Sequence, residues 1–251
     1  MSQATTIKEV LDQLDGIIED AIKTNDRLGL FAYIYRRTTA EIQKEIQLKS
    51  FENNERLEKM DVLFANLYLD AHRDYKNGNE ISRSWEFAFK NKNESLTILQ
   101  HILMGMSTHI NLDLAIATSR TMNGNELSEI ENDFNKVNDV LFNIINELQE
   151  RLGKVSPLLF LLDWAGKNSD ERIIDFSMRK AREQAWNGAN LLCALGNDGQ
   201  SEAIMGLDSL VLNVNKVIKQ PKSRVIGFVL KAIARFEQKN IGAIISKLRE
   251  P

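Results

Sequence analysis

The chain has 251 residues, 43% of them hydrophobic and 27% charged, with a formal net charge of −3, 13 glycines, three prolines and one cysteine. Only Pro157 and Pro221 are internal prolines, and the turns of many-stranded β-folds draw on more Pro and Gly than this, so sandwiches, barrels and proline-rich disorder are excluded. Lys/Arg and Asp/Glu are interspersed, with no basic stripe to neutralise phosphates, so nucleic acid is not expected as a partner.

Apolar residues recur at helical spacing almost throughout. Ile7, Val10, Leu11, Leu14, Ile17, Ile18, Ala21 and Ile22 trace one face of a first helix, with Thr6 and Glu9 as a capping box at its start. A second helix is expected from Leu28 to Phe51, restarting at Thr38, and a third from Glu55 to Tyr75, stopping at Asn77-Gly78-Asn79. A short piece around Trp85 and Phe89 follows. The central helix is expected from Ser95 to Met122. Ser128 and Glu131 box the start of the next, which runs to Leu152. Ser156-Pro157 reads as an N-cap with proline at the first helical position. Ser169 begins a long helix ending at Gly196, and Ser201 to Lys219 forms another, stopped by Pro221. The last two cover Ser223 to Gln238 and Ile241 to Leu248. Connections are short, so residues 1–251 read as a single-domain all-α bundle of about ten helices.

The N-terminus lacks the basic and apolar regions of a signal peptide, and no apolar stretch approaches the ~20 residues of a membrane span. Cys193 lies alone in the apolar run Leu191 to Leu195, which leaves no disulfide framework and no cysteine zinc motif. A cytoplasmic protein without a membrane partner is expected.

Two of the three histidines, His101 and His109, fall on the central helix; the third is His72. His109 and Asp113 are four residues apart, hence about 40° apart in projection. Ile98, Ile102, Met106, Leu112 and Ile116 lie within roughly 60° of His109 on the same net. A histidine and an aspartate inside an apolar stripe are costly unless they pair with each other, with further polar groups or with a metal. Two readings stay open: a satisfied buried pair that cross-links helices, or two ligands of a divalent metal (or a base and its orienter) beside a pocket. On an unbroken helix His101 is about 12 Å from His109, too far to share an ion. A third ligand would then come from His72, Asp70, Asp74, Asp133 or Asp163. Gly105, one turn before His109, leaves room for a close neighbour at a cost of about 1 kcal/mol in helix propensity. Gly105, Asn111, Trp186 and Tyr68 are candidate pocket residues. Arg182 is a candidate anion clamp, with a surface arginine as the commoner outcome. Trp85, Trp164 and Trp186 fit core or pocket-wall positions. Nucleotide-binding glycine loops, His-Glu-x-x-His and Gly-x-Ser-x-Gly are all missing.

The segment Gly105-Met106-Ser107-Thr108-His109-Ile110-Asn111-Leu112-Asp113-Leu114 resembles the hallmark of a bacterial family of helical proteins catalogued as a domain of unknown function, with an Ala-His-Ile-Asn-x-Asp-Leu type core. Here Thr108 stands where alanine is usual. Phe31 to Tyr35 with Thr38-Thr39, Phe64 to Tyr68, Trp85 with Phe89, and Arg182 to Trp186 are similar as well, so the resemblance covers about residues 28 to 190. It implies an all-helical domain and no particular reaction. A fainter similarity is to zinc-dependent phospholipases C and single-strand nucleases, which carry a His-x-x-x-Asp metal pair; their following histidines are replaced here by Ala115, Ala117 and Ser119.

These observations lead to two functional expectations. One is a metal-assisted hydrolase acting on a small molecule, with His109 and Asp113 on a divalent metal and His101 or Arg182 meeting the substrate. The alternative is a non-enzymatic helical binding or interaction protein in which the His109–Asp113 pair is structural.

Overall fold

The computed structural model describes residues 2–156, 158, 161 and 178–250. Ten α-helices and no strand occur among the described residues: α1 (Ile7–Thr24), α2 (Leu28–Gln47), α3 (Asn54–Asn77), α4 (Arg83–Lys90), α5 (Ile98–Thr108), α6 (Leu114–Thr121), α7 (Glu131–Val155), α8 (Met178–Lys219), α9 (Arg224–Phe236) and α10 (Ile241–Arg249). The all-α, multi-helix architecture expected from the apolar period is what the chain adopts.

Local chemistry sets most of the ends. Thr6 accepts from the Glu9 amide, while the Glu9 carboxylate reaches past it to the amide and hydroxyl of Thr5. Gly78 takes a left-handed conformation after α3, where a side chain would be strained. Several expected boundaries move. Helix α2 runs unbroken through Thr38, whose hydroxyl donates to the Tyr35 carbonyl instead of opening a new helix. The central rod starts at Ile98, because Thr97 and Gln100 form the reciprocal capping box. Ser128 does not cap α7; it lies in a 3₁₀ turn, Leu127–Ile130, that precedes it. The two helices expected on either side of Gly196 join as α8 across a kink at that residue, which has φ of 60°. The helix starts expected at Pro157 and Ser169, and Trp164 and Asp163, lie outside the described residues.

The rod of α5 and α6 runs through the middle of the molecule. Helix α8 packs along it, and α2, α3 and α4 close its other sides. Helix α10 packs on α7, α1 and α2, tying the end of the chain to its beginning. One large apolar cluster extends from Ala4 to Leu248, including Leu14, Leu30, Tyr68, Trp85, Met104 and Phe134. Each such side chain contributes about 1.5–3 kcal/mol relative to exposure. A Cβ added at Gly105 would stand 2.5 Å from Phe31 Cγ, so α2 approaches the rod there more closely than any other residue allows.

Candidate functional site

The rod is not a plain α-helix. Between α5 and α6 the chain makes a π-turn over His109–Asp113, in which the Leu114 amide bonds to the His109 carbonyl. This corrects the expectation of a regular helix through His109. Such turns insert one residue into a helix and are frequent at functional sites. Within it, His109 Nδ1 lies 2.9 Å from Asp113 Oδ2, and the Trp85 Nε1–H of α4 donates to that same oxygen at 3.0 Å. His109 and Asp113 are 2% and 3% exposed, which puts the pair wholly inside the core.

The imidazole is enclosed by rings. Phe64 stacks on it with centroids 3.6 Å apart and planes 7° apart, Tyr35 meets it edgewise at 4.3 Å, and Phe31, Tyr68 and Trp85 stand around it. Burial pushes the His109 pKa well below its ordinary value and the Asp113 pKa well above, with the Trp85 hydrogen bond opposing part of the latter. Both directions favour a pair without net charge. One hydrogen is shared between Nδ1 and Oδ2. Among the described residues buried Nε2 has no hydrogen-bond partner, and the Tyr68 hydroxyl is likewise without one.

Neighbouring helices fix α4, which carries Trp85. Asp208 of α8 accepts from the Arg83 and Ser84 amides and from the Ser84 hydroxyl, and Asn215 of α8 donates to the Ser84 carbonyl and to Thr108 Oγ1. The indole is thereby held from two directions before it reaches Asp113.

A second buried polar pair lies nearby. Asp61 of α3 is pushed up to about 7 by burial, against the pull of Arg182, and Arg182 is lowered to about 9 by burial, against the pull of Asp61. Among the described residues Asp61 Oδ2 and Arg182 Nε have no hydrogen-bond partner. Arg182 is 4% exposed, which overturns the surface arginine; its Nη2 donates to the Phe134 carbonyl at 2.7 Å and its guanidinium sits 4.3 Å over the Phe134 ring. Burial first, then Asp61 and, less, Asp113 raise the hydroxyl pKa of Tyr35.

A comparison with protein families matches residues 7–221 to the profile of DUF5995, described as a family of unknown function. The chain belongs to the DUF5995 family. No curated protein and no solved structure matches it.

The DUF5995 match spans the rod and every polar group described so far. Of the candidates named from sequence, His109, Asp113, Tyr68 and Gly105 meet in the core. Trp186 packs on Phe134 at 4.9 Å and, with Arg182, lines a recess of about 690 Å³ between α7 and α8. Asn111 is half-buried and donates back to the Ser107 carbonyl. His101 stands apart, beside the Glu94 backbone and the charges of Arg27 and Lys239. No hydrogen bond or ring contact joins His101 or Arg182 to His109 among the described residues.

The candidate third ligands among the described residues have other partners. Asp133 accepts from the Glu52 and Asn53 amides, Asp70 and Asp74 pair with Arg73, and His72 packs against Tyr68 and Phe89. Among the described residues no group of three His, Cys, Asp or Glu side chains is placed to hold a metal ion. Asp61, Trp85 as partner of Asp113, and Asp208 were not singled out from sequence. A signal was there: Leu57, Asp61, Phe64 and Tyr68 make one stripe, and Ile204, Asp208, Val211 and Asn215 another, each with an acid in an apolar register.

Proposed function

We propose that this DUF5995 chain is a non-enzymatic helical binding or interaction protein, in which the His109–Asp113 pair fixes helix packing. The observation that carries this reading is the enclosure of the pair. Both residues are buried, one indole from another helix satisfies the carboxyl, and five aromatic rings surround the imidazole. Chemistry on a substrate needs an accessible acid or base within hydrogen-bond reach of the reacting atom. With His109 2% and Asp113 3% exposed, the pair presents no such group to a substrate. We take residues 1–251 as one helical unit, supported by the packing of α10 on α1, α2 and α7.

Replacing His109 by Ala tests the reading. It removes the stack on Phe64 and leaves Asp113 with Trp85 alone, so stability falls by about 2–4 kcal/mol. Tm then drops by roughly 5–15 °C in thermal denaturation. An unchanged Tm overturns a structural role for the pair.

The unpartnered Nε2 of His109 is the one observation that favours the second reading, a metal-assisted hydrolase. Metal content of protein purified without an affinity tag decides it. Stoichiometric metal that is lost in His109→Ala supports the hydrolase, and metal-free protein in both removes it.

A further inference from the structure

Helix α9, Arg-Val-Ile-Gly-Phe-Val-Leu-Lys-Ala-Ile-Ala-Arg-Phe, holds three basic residues and no acidic one, in a chain whose net charge is −3. One face is occupied: Ile226, Val229, Leu230 and Ile233 form a small apolar cluster with Leu99, Leu158 and Leu161. The opposite face is exposed, and its Arg224, Phe228, Lys231 and Arg235 line one wall of a recess of about 880 Å³ that Lys219, Lys239 and Glu94 also line. At about 100° per residue, Arg224, Lys231 and Arg235 fall within roughly 40° of one another, with Phe228 beside them and Val225 and Phe236 farther round. Phe228 is 76% exposed, Phe236 68% and Val225 52%. Arg224, Lys231 and Arg235 make no hydrogen bond or ion pair among the described residues. The amino-acid order hides this arrangement, because each basic residue is separated from the next by apolar ones; only the helical turn gathers them into a stripe.

We propose that this face of α9 docks the protein on an anionic lipid bilayer surface. The charges and the apolar side chains call for different halves of one partner. A row of unpaired cations meets the phosphates and carboxylates of anionic headgroups, and the adjoining edge of Phe228, Val225 and Phe236 enters the boundary of the acyl region. Long basic side chains place their charge at the headgroup level while their stems stay against apolar surface. Nucleic acid would satisfy the cations and stack on Phe228, but would leave Val225 and Phe236 in water. A second copy packed across a two-fold axis would set this cationic stripe against itself. The helix adsorbs in the plane of the surface; no helix of the described residues is long and apolar enough to cross a membrane. Helix α9 begins beyond the DUF5995 match, which ends at residue 221, and the inference is independent of the role given to His109.

Co-sedimentation of the full chain with phosphatidylcholine vesicles, with and without phosphatidylserine, tests it. Binding is expected only to the phosphatidylserine vesicles and weakens in high salt. The triple variant R224Q/K231Q/R235Q loses affinity by about a hundredfold, because each basic residue near an anionic surface contributes about fivefold. The double variant F228S/F236S also weakens binding. All replaced side chains are exposed, so an unchanged melting curve certifies that both variants are folded. Three results would overturn the proposal: no sedimentation of the wild-type chain with anionic vesicles, equal sedimentation of the triple variant, or a tighter complex with a single-stranded oligonucleotide that competes the vesicles away. A dimer in light scattering that F228S/F236S dissociates would likewise assign the face to a second copy.

Discussion

Trp85 and Asp113, on α4 and the central rod, are joined by one hydrogen bond from the indole Nε1–H to Oδ2 at 3.0 Å, and the same oxygen meets His109 Nδ1 at 2.9 Å. A single buried carboxyl oxygen thus ties a short helix to the π-turn. Buried polar groups of this kind stabilise only when every partner is present, and losing one leaves the others costly.

Trp85→Phe keeps an aromatic ring in the core and removes the donor. Stability is expected to fall by about 2–4 kcal/mol, from the lost hydrogen bond and the smaller ring. The Asp113 pKa rises further, because the bond to Trp85 was lowering it. Urea denaturation of Trp85→Phe, Asp113→Asn and the double variant measures the coupling. Additive losses would show that the bond contributes nothing.

Gly105→Ala is expected to destabilise despite alanine's higher helix propensity. The new methyl would lie 2.5, 2.8 and 2.9 Å from Cγ, Cδ2 and Cβ of Phe31. Phe31 is packed among Tyr35, Tyr68, Trp85 and His109 and has little room to move. A net loss of about 1–3 kcal/mol is expected, partly restored by Phe31→Leu in the same chain. A rise in Tm for Gly105→Ala alone contradicts the close approach.

Acid should weaken the fold through His101. Burial lowers its pKa from 6.5 to about 4, so it stays neutral in the folded chain while the unfolded chain takes up a proton. The stabilisation is present above pH 6.5 and is lost as pH falls toward 4, with a ceiling on the order of 3 kcal/mol. Tm measured over that interval should fall less steeply for His101→Gln than for the wild type. Parallel curves would show that His101 does not carry the dependence.

Asp208→Ala removes the acceptor of the first amides of α4. The expected cost is about 1–3 kcal/mol, by analogy with a lost N-cap carboxylate whose donors are partly buried. Hydrogen exchange at Arg83 and Ser84 should accelerate more than at α1. Unchanged exchange there would mean that α4 is held by its apolar face alone.

The pattern of apolar residues was enough to locate the helices, because burial of one face is a local demand repeated every three or four positions. It also placed His109 and Asp113 together in an apolar stripe, where the structure has them, and marked Gly105 as a point of close approach. Boundaries were legible where a cap is local, as at Thr6 and Gly78. They were misplaced where two local signals competed, as with Thr38, whose hydroxyl donates to the Tyr35 carbonyl, and Ser128, which lies in a 3₁₀ turn ahead of α7. Asp61 and Asp208 were legible in principle, since each interrupts an apolar register, but only once it is known which face is buried.

By itself the sequence determined that the chain is helical, roughly where its helices lie, and that His109 and Asp113 share an apolar stripe. Its scarce proline left the rod free of a forced break, yet a π-turn forms there, with His109 stacked on Phe64 and Asp113 bonded to Trp85. The tertiary structure alone decided which residues complete each polar group: Trp85 for Asp113, Asp61 near Arg182, Asp208 for α4. These partners are far apart in sequence and approach only when helices cross, and the angle and register of those crossings depend on side-chain volumes summed over many contacts. No local period encodes that sum.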